Sequence, residues 1–235
     1  MNEVLSYLNE RVEEFHSHLS IARMLELRVD EGIVDGNIRV EVRHVNTVKS
    51  GLLIHLYNIV EAVTSRTLRE VGEAVVTEKP NLWTEKLLSE WIRSAVWNGE
   101  DRIGDQAMRR LMQVSSNLAS GELLQAFLIK GEPGSWNDDA IKKVAVRLGC
   151  CLSLSREVSR AAYERKYRNE TTALQYLASK RNAIAHGSST FEEGANDLSI
   201  EELEELSERI LPYLKEITES YQNFLVNKEY LAIVA

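Results

Sequence analysis

The 235-residue sequence is poor in the residues that punctuate β-rich folds, with three prolines and twelve glycines, which disfavours an architecture of many short strands and turns. Its two cysteines, Cys150 and Cys151, are adjacent and cannot frame a disulfide-stapled fold. No apolar run reaches the roughly eighteen residues of a membrane helix, and the N-terminus lacks a basic segment followed by an apolar one. We therefore expect a cytoplasmic protein with no membrane segment.

The composition is that of an ordinary globular protein, with 44% hydrophobic and 27% charged residues. The net charge of −8 disfavours a general nucleic-acid coat protein, but its distribution is uneven. Residues 141–186 carry ten basic and three acidic side chains, a net charge of +7, whereas the segments on either side are acidic. This basic segment is either a set of solvated helix faces or the binding site of an anionic ligand.

Apolar residues recur at helical spacing through most of the chain, and we find no strand–turn–strand pattern. The expected helices cover about 2–30 and 39–72, a stretch beginning at Pro80, about 102–119, a short stretch capped by Ser135 and Asp138 that ends near Arg147, about 153–168, a stretch from Thr171 to Arg181 that stops at Gly187, and a long last helix capped at Ser199 and containing Pro212. The pattern predicts an all-α bundle with long N-terminal, second and C-terminal helices.

Sequence motifs for metals and common cofactors are missing. His16 and His18 are two residues apart and so fall on different sides of a helix. The chain contains no phosphate-binding loop motif, no GxGxxG and no HExxH. We therefore predict neither a metal site nor a cofactor.

The segment Lys180–Gly187 concentrates chemically useful side chains at the end of a predicted helix, inside the basic segment. Arg181 suits bidentate binding of a phosphate, and the imidazole of His186 transfers protons near neutral pH. The two residues are five apart, about 140° around a helix. Either the long arginine reaches round, or the helix unwinds at Gly187, or two copies of the helix meet about a twofold axis and pool their residues.

The form Arg-Asn-x-x-Ala-His-Gly at 181–187, with Phe191 in the polar loop that follows, resembles the RxxxxH motif of the HEPN superfamily. A second block, Leu-Tyr-Asn-Ile-Val-Glu at 56–61, is also similar to that superfamily. The order of segments resembles the MAE-type prokaryotic HEPN family, related to the RiboL-PSP HEPN proteins. The resemblance implies a single HEPN-like domain over 1–235. Its core would comprise 39–72 and 153–227, with a helical insert over about 80–150.

The resemblance further implies a metal-independent endoribonuclease that acts as a homodimer. Arg181 and His186 would be catalytic, Asn182 would position the motif or the phosphate, and Glu61 and Asn58 would assist from the second helix. The ribose 2′-OH would attack the phosphate and leave a 2′,3′-cyclic phosphate, with His186 moving the proton and Arg181 stabilising the transition state. Many relatives are toxins or antiviral effectors, so an antitoxin or other regulatory partner is also expected.

Four basic residues are candidates for binding the RNA backbone: Lys180, Lys142, Lys143 and Arg147. Such a cluster is more often a solvated face of a helix. His186 also suits a simple helix C-cap, and Glu61 is placed to pair with Arg66 or Arg69.

Two other functions remain open. One is a non-catalytic module that binds nucleotide, RNA or a partner. The other is a helical scaffold whose acidic last helix docks a basic protein.

Overall fold

The computed structural model describes residues 1–32, 34–35, 38–96, 104–131 and 134–232. Its helices are α1 (Asn2–Asp30), α2 (Val42–Val75), α3 (Glu85–Val96), α4 (Asp105–Ser120), α5 (Asp138–Leu148), α6 (Arg156–Tyr163), α7 (Ala173–Ala185) and α8 (Ile200–Val226). Strands β1 (Val34–Asp35) and β2 (Ile38–Arg39) pair antiparallel between α1 and α2. Apart from this short ladder, the secondary-structure elements of the described residues are helices, which confirms the all-α class.

The core forms where α1, α2 and α8 pack together, and α2 lies at its centre. Apolar side chains occupy a broad arc of α2, as expected of a helix covered on several sides. Leu53, Leu56 and Val60 of this helix are fully buried. The helix therefore provides a rigid wall against which α7 docks. No helix in the described ranges is long and apolar enough to cross a membrane.

Helix α7 begins two residues after the predicted start at Thr171. The Thr172 hydroxyl accepts a hydrogen bond from the Gln175 amide, and the Gln175 side chain accepts one from the Thr172 amide, forming a capping box. The same Thr172 hydroxyl donates to Asp138 Oδ1 at 2.8 Å, which joins the N-termini of α7 and α5. Burial raises the pKa of Asp138 above its ordinary value. Helix α8 is likewise capped at Ser199 as predicted, and it contains Pro212 within a single helix.

Three predicted helix boundaries are wrong. Pro80 opens a 3₁₀ turn over Pro80–Leu82 rather than a helix, and α3 begins only at Glu85. The predicted helix over 153–168 is reduced to α6, because the chain leaves the helical conformation at Glu164. The N-cap of α5 is Asn137, whose side chain accepts from the Ala140 amide, so Ser135 is not the cap.

Helix α2 is shifted by three residues from the prediction, and the short β1–β2 ladder was not predicted. Residues 102 and 103, at the start of the expected fourth helix, lie outside the described residues. The same holds for Gly36, which was expected to help end the first helix, and for residues 132–133 of the loop before α5.

Candidate functional site

The motif segment lies at the C-terminal end of α7, which stops as the glycine predicts. His186 is the C-cap residue, and its amide donates to the Asn182 carbonyl at 2.9 Å. Gly187 adopts a left-handed conformation with φ of +73°, which glycine accommodates without the steric strain of a side chain. The last turn therefore fixes the backbone from Asn182 to Gly187.

Arg181 is held against α2 by two residues of the 56–61 block. Its Nη2 atom lies 3.4 Å from Glu61 Oε2, and its guanidinium stands over the ring of Tyr57, 4.5 Å from the centroid. Tyr57 is buried and Glu61 is exposed, so the arginine is sandwiched between an aromatic floor and a solvated carboxylate. Arg66 and Arg69 were the alternative ion-pair partners of Glu61. Arg66 instead stacks on Tyr7, and Arg69 pairs with Glu73.

Asn182 connects the motif to the loop before α5, here called the Ser135 loop and comprising residues 134–137. The Ser135 hydroxyl lies within hydrogen-bonding distance of both polar atoms of the Asn182 amide, at 2.7 and 3.1 Å. Asn182 Oδ1 also accepts from Arg181 Nη1 at 3.1 Å. In the same loop the Trp136 amide donates to the Tyr57 hydroxyl at 2.8 Å. These bonds join α2, α7 and the Ser135 loop around the arginine.

His186 is exposed at the end of α7 and has no side-chain partner among the described residues. It does not contact Arg181 in the described structure, because the two side chains leave the helix about 140° apart. Arg181 points to α2, whereas His186 faces solvent at the helix terminus. A single chain therefore does not bring the two predicted catalytic groups together.

The segment after the motif is anchored to α2 and α7. Lys49 of α2 is buried and donates to the Leu198 carbonyl at 2.7 Å, and burial lowers the pKa of its ammonium group. Gly194 lies so close to Ile184 that a Cβ added there would come within 2.6 Å of the Ile184 side chain. This packing holds the chain around Gly194 and Leu198 against α7 and α2.

The remaining predicted site residues lie in different environments. Asn58 is exposed on α2, and no described contact joins it to Arg181. Lys180 pairs with Asp197. Arg147 contacts the buried Glu90 carboxylate and the Lys130 carbonyl, so its guanidinium stabilises the fold around α3 and α5.

The two neighbouring lysines of α5 face different surfaces. Lys143 lines a groove that reaches Asn182, whereas Lys142 lines a separate depression beside Cys150 and Cys151. Of the four predicted RNA-binding residues, Lys143 thus shares a groove with Asn182, whereas Lys180 belongs to α7 and pairs with Asp197.

Tyr57 and Ser135 were missed as site residues. Tyr57 belongs to the 56–61 block, from which only Asn58 and Glu61 were predicted to contribute to the site. Ser135 was assigned to a helix cap, and no sequence spacing relates it to Asn182, 47 positions away. Gly134, beside it, has a positive φ of +101°, a conformation that glycine favours.

Clusters of three or more metal-ligating side chains are not found within the described ranges. The nearest approach to one is on α1 and α2, where His18 Nδ1 lies 3.3 Å from His55 Nδ1. Glu14 faces the other ring nitrogen of His55 at 3.6 Å. Burial lowers the pKa of His55, which favours a neutral imidazole between the two helices.

The chain was compared with known protein families, curated proteins and solved structures. No curated protein and no solved structure gives a significant match. One family model, described as HEPN_MAE_28990-like HEPN, matches residues 3–230 and so includes every residue of the site. The match agrees with the helical architecture and with the motif at the end of α7. The chain belongs to the HEPN_MAE_28990-like HEPN family.

Proposed function

We propose that the protein is a metal-independent endoribonuclease whose active site is shared between two copies of the chain. The observation that carries the proposal is the placement of the motif. Arg181 is oriented by α2 and the Ser135 loop, while His186 stands unpartnered and exposed at the helix terminus. A phosphate-binding cation and a proton carrier thus lie on one helix end but on different sides of it.

A twofold axis beside the end of α7 brings Arg181 of one chain close to His186 of the other. In this arrangement His186 removes the proton from the ribose 2′-OH, and the 2′-oxygen attacks the adjacent phosphorus. The P–O5′ bond breaks, and the 5′-oxygen leaves with the proton that the His186 imidazolium returns. The products are a 2′,3′-cyclic phosphate and a 5′-OH.

Arg181 supplies the electrostatic stabilisation of this reaction. Its guanidinium neutralises charge on the phosphorane-like transition state, an effect that depends on a donor fixed in advance. Tyr57 orients the guanidinium by stacking on its face, and Glu61 orients it through an ion pair. Asn182 has its amide oriented by Ser135 and is placed to hold the motif backbone or a phosphate oxygen.

The first experiment is RNA cleavage by purified protein in excess EDTA, with total RNA and tRNA as substrates. Arg181→Ala and His186→Ala are compared with matched controls, Arg69→Ala on the exposed face of α2 and His16→Ala on α1. We expect cleavage by wild type and both controls, loss in both motif variants, and cyclic phosphate on the products. Cleavage that persists in the motif variants would contradict the proposal.

Mixing the two inactive variants tests whether the site is shared. An Arg181→Ala chain still supplies His186, and a His186→Ala chain still supplies Arg181. Refolding them together therefore produces heterodimers with one intact pair, and we expect part of the activity to return. If each chain works alone, the mixture stays inactive.

The alternative function is a non-catalytic HEPN module that binds nucleotide or RNA. The observation that favours it is the separation of Arg181 from His186 within one chain, because a monomer would bind phosphate without transferring a proton. It predicts RNA binding that requires Arg181, with no cleavage in any assay.

The biological role that accompanies the proposal is a toxin or antiviral effector acting in the cytoplasm, with an antitoxin or regulator as partner. It predicts that expression in a bacterial host arrests growth for the wild type and not for His186→Ala.

A further inference from the structure

A polar groove runs between α5 and α7 and ends at the motif. On the α7 side it is lined by Gln175, Ala178, Ser179 and Asn182, which share one helix face because of their spacing. The distance along the helix from Gln175 to Asn182 is about 10 Å at 1.5 Å per residue. We call it the α5–α7 groove.

The groove is joined directly to the arginine site. Asn182 lies at its end, and the Asn182 amide accepts a hydrogen bond from Arg181. Ser135, which holds that amide, lines the same groove. A strand whose phosphate is bound at Arg181 therefore has a continuous polar surface along which to extend.

The lining residues provide donors for an anionic backbone. Lys143 is exposed, and no described residue contacts its ammonium group. Ser179 presents a hydroxyl from α7. Asp139, the carboxylate among the described lining residues, accepts a hydrogen bond from the Gln175 amide at 2.9 Å, at the far end from Asn182. The lining thus offers a cation and neutral donors, and its described carboxylate is engaged by Gln175.

We propose that the α5–α7 groove binds the RNA backbone on one side of the scissile phosphate, with Lys143 on the phosphate of the neighbouring nucleotide and Ser179 as a hydrogen-bond donor to it. This assignment rests on the proposed function, because it takes Arg181 as the position of the scissile phosphate. It gives the protein affinity for a strand rather than for a single nucleotide, since each phosphate contact adds a salt-dependent increment to binding.

The adjacent lysine provides a matched control. Lys142 and Lys143 are both exposed on α5, but Lys142 lines the depression beside Cys150 and Cys151 instead. Replacing either one by alanine removes one positive charge from the same short helix. A general effect of net charge would therefore be equal in the two variants, whereas a phosphate contact in the groove would appear in one of them.

Binding is measured in the His186→Ala background by fluorescence anisotropy with a labelled single-stranded RNA of about twelve nucleotides. We expect Lys143→Ala to weaken binding several-fold and to reduce the slope of log Kd against log salt by about 0.7, the value for one phosphate contact on a single strand. Lys142→Ala leaves both quantities unchanged, and Lys143→Arg retains most of the affinity. Equal effects of the two alanine variants, or none, would overturn the assignment.

Cleavage by the otherwise wild-type protein then locates the contact. A dinucleoside monophosphate contains only the scissile phosphate, so Lys143→Ala should leave its kcat/KM unchanged while lowering that of a longer strand. Adenosine monophosphate serves as a competitor, and equal competition with and without Lys143 is expected. Loss of its binding in Lys143→Ala would instead identify the groove as a mononucleotide pocket and overturn the strand assignment.

The two proposals fail in different ways. If wild type cleaves RNA and Lys143→Ala behaves like Lys142→Ala, the groove assignment alone is wrong. If RNA binds in a Lys143-dependent manner but no condition gives cleavage, the catalytic proposal is wrong and the groove stands as an RNA-binding surface. If the protein does not bind the labelled RNA, both are wrong.

Discussion

Tyr57 is the residue through which the stability of the core and the orientation of Arg181 are coupled. Its side chain is 1% exposed, its hydroxyl accepts from the Trp136 amide at 2.8 Å, and its ring faces the Arg181 guanidinium at 4.5 Å. The Tyr57→Phe variant removes only the hydroxyl, whereas Tyr57→Leu also removes the aromatic face. The pair therefore separates the hydrogen bond from the cation–π contact.

The hydroxyl alone should have a measurable effect on stability. Without it the partly buried Trp136 amide loses its acceptor, which costs about 1–3 kcal/mol. For a chain of this length each kcal/mol corresponds to a fall in Tm of about 2–4 °C. Because the ring remains under Arg181, we expect Tyr57→Phe to lower Tm while leaving kcat close to that of the wild type.

The aromatic face is isolated by a double-mutant cycle. Tyr57→Leu leaves a smaller side chain in the core and so destabilises the protein in addition to changing Arg181. Comparing Tyr57→Leu, Arg181→Ala and the double variant cancels that packing cost. The remaining coupling is expected to be about 0.5–2 kcal/mol, the range for a partly desolvated cation–π pair. Chemical denaturation at fixed pH and salt measures all four proteins.

A purely structural tyrosine would give a different result. If the ring positions the guanidinium, Tyr57→Leu lowers kcat more than it raises KM, and the Arg181 side-chain NMR signals lose the upfield shift that a ring current causes. If the coupling free energy is zero and those signals do not move, the ring does not hold Arg181, and the reasoning is wrong.

The remaining predictions concern three local features. Gly187→Ala should reduce stability by about 1–2 kcal/mol, because the left-handed backbone strains an alanine even though its Cβ meets no atom within 4 Å; unchanged unfolding by denaturant would contradict this. Lys166 and Arg209 lower the pKa of Glu205 below the ordinary value of 4.5, so its contribution to stability is present above that value and is lost as pH falls through the lowered pKa. The Glu205→Gln variant should therefore lose less stability below about pH 4.5 than the wild type does, and parallel pH profiles would refute it. Gly131→Ala should displace the Trp136 ring, which lies 2.5 Å from the added Cβ, and so lower activity without touching the motif; full activity would show that the Ser135 loop does not support the site.

Much of the fold could be predicted because its causes are local. The apolar stripes of α1 and α8, the stop of α7 at Gly187 and the cap at Ser199 depend on residues within a few positions of one another. The boundary at Pro80 failed because the same residue suits both a 3₁₀ turn and a first helical turn. The end of α6 at Glu164 reflects tertiary packing, since Arg209 of α8 binds that carboxylate.

The candidate site was predictable only as far as its motif is continuous in sequence. Arg181, Asn182 and His186 stand within six positions, so the pattern alone indicated them. Tyr57 and Ser135 reach the site from α2 and from the loop before α5, and no local rule of spacing relates such distant segments. Glu61 is intermediate, because its block is recognisable in the sequence, whereas its pairing with Arg181 depends on the packing of α7 on α2.

The environment of Arg181 imposes a condition on any substrate. Its guanidinium already faces Glu61 and Tyr57, so a phosphate that binds it competes with the carboxylate but not with the ring. Glu61 is half exposed, which weakens its hold on the arginine by solvent screening, whereas the buried ring stays in place. A phosphate can therefore displace the Glu61 carboxylate, or share the guanidinium with it, while the guanidinium keeps its orientation on Tyr57. The buried Tyr57 ring keeps its position when a phosphate binds, and the exposed Glu61 carboxylate is the group that moves.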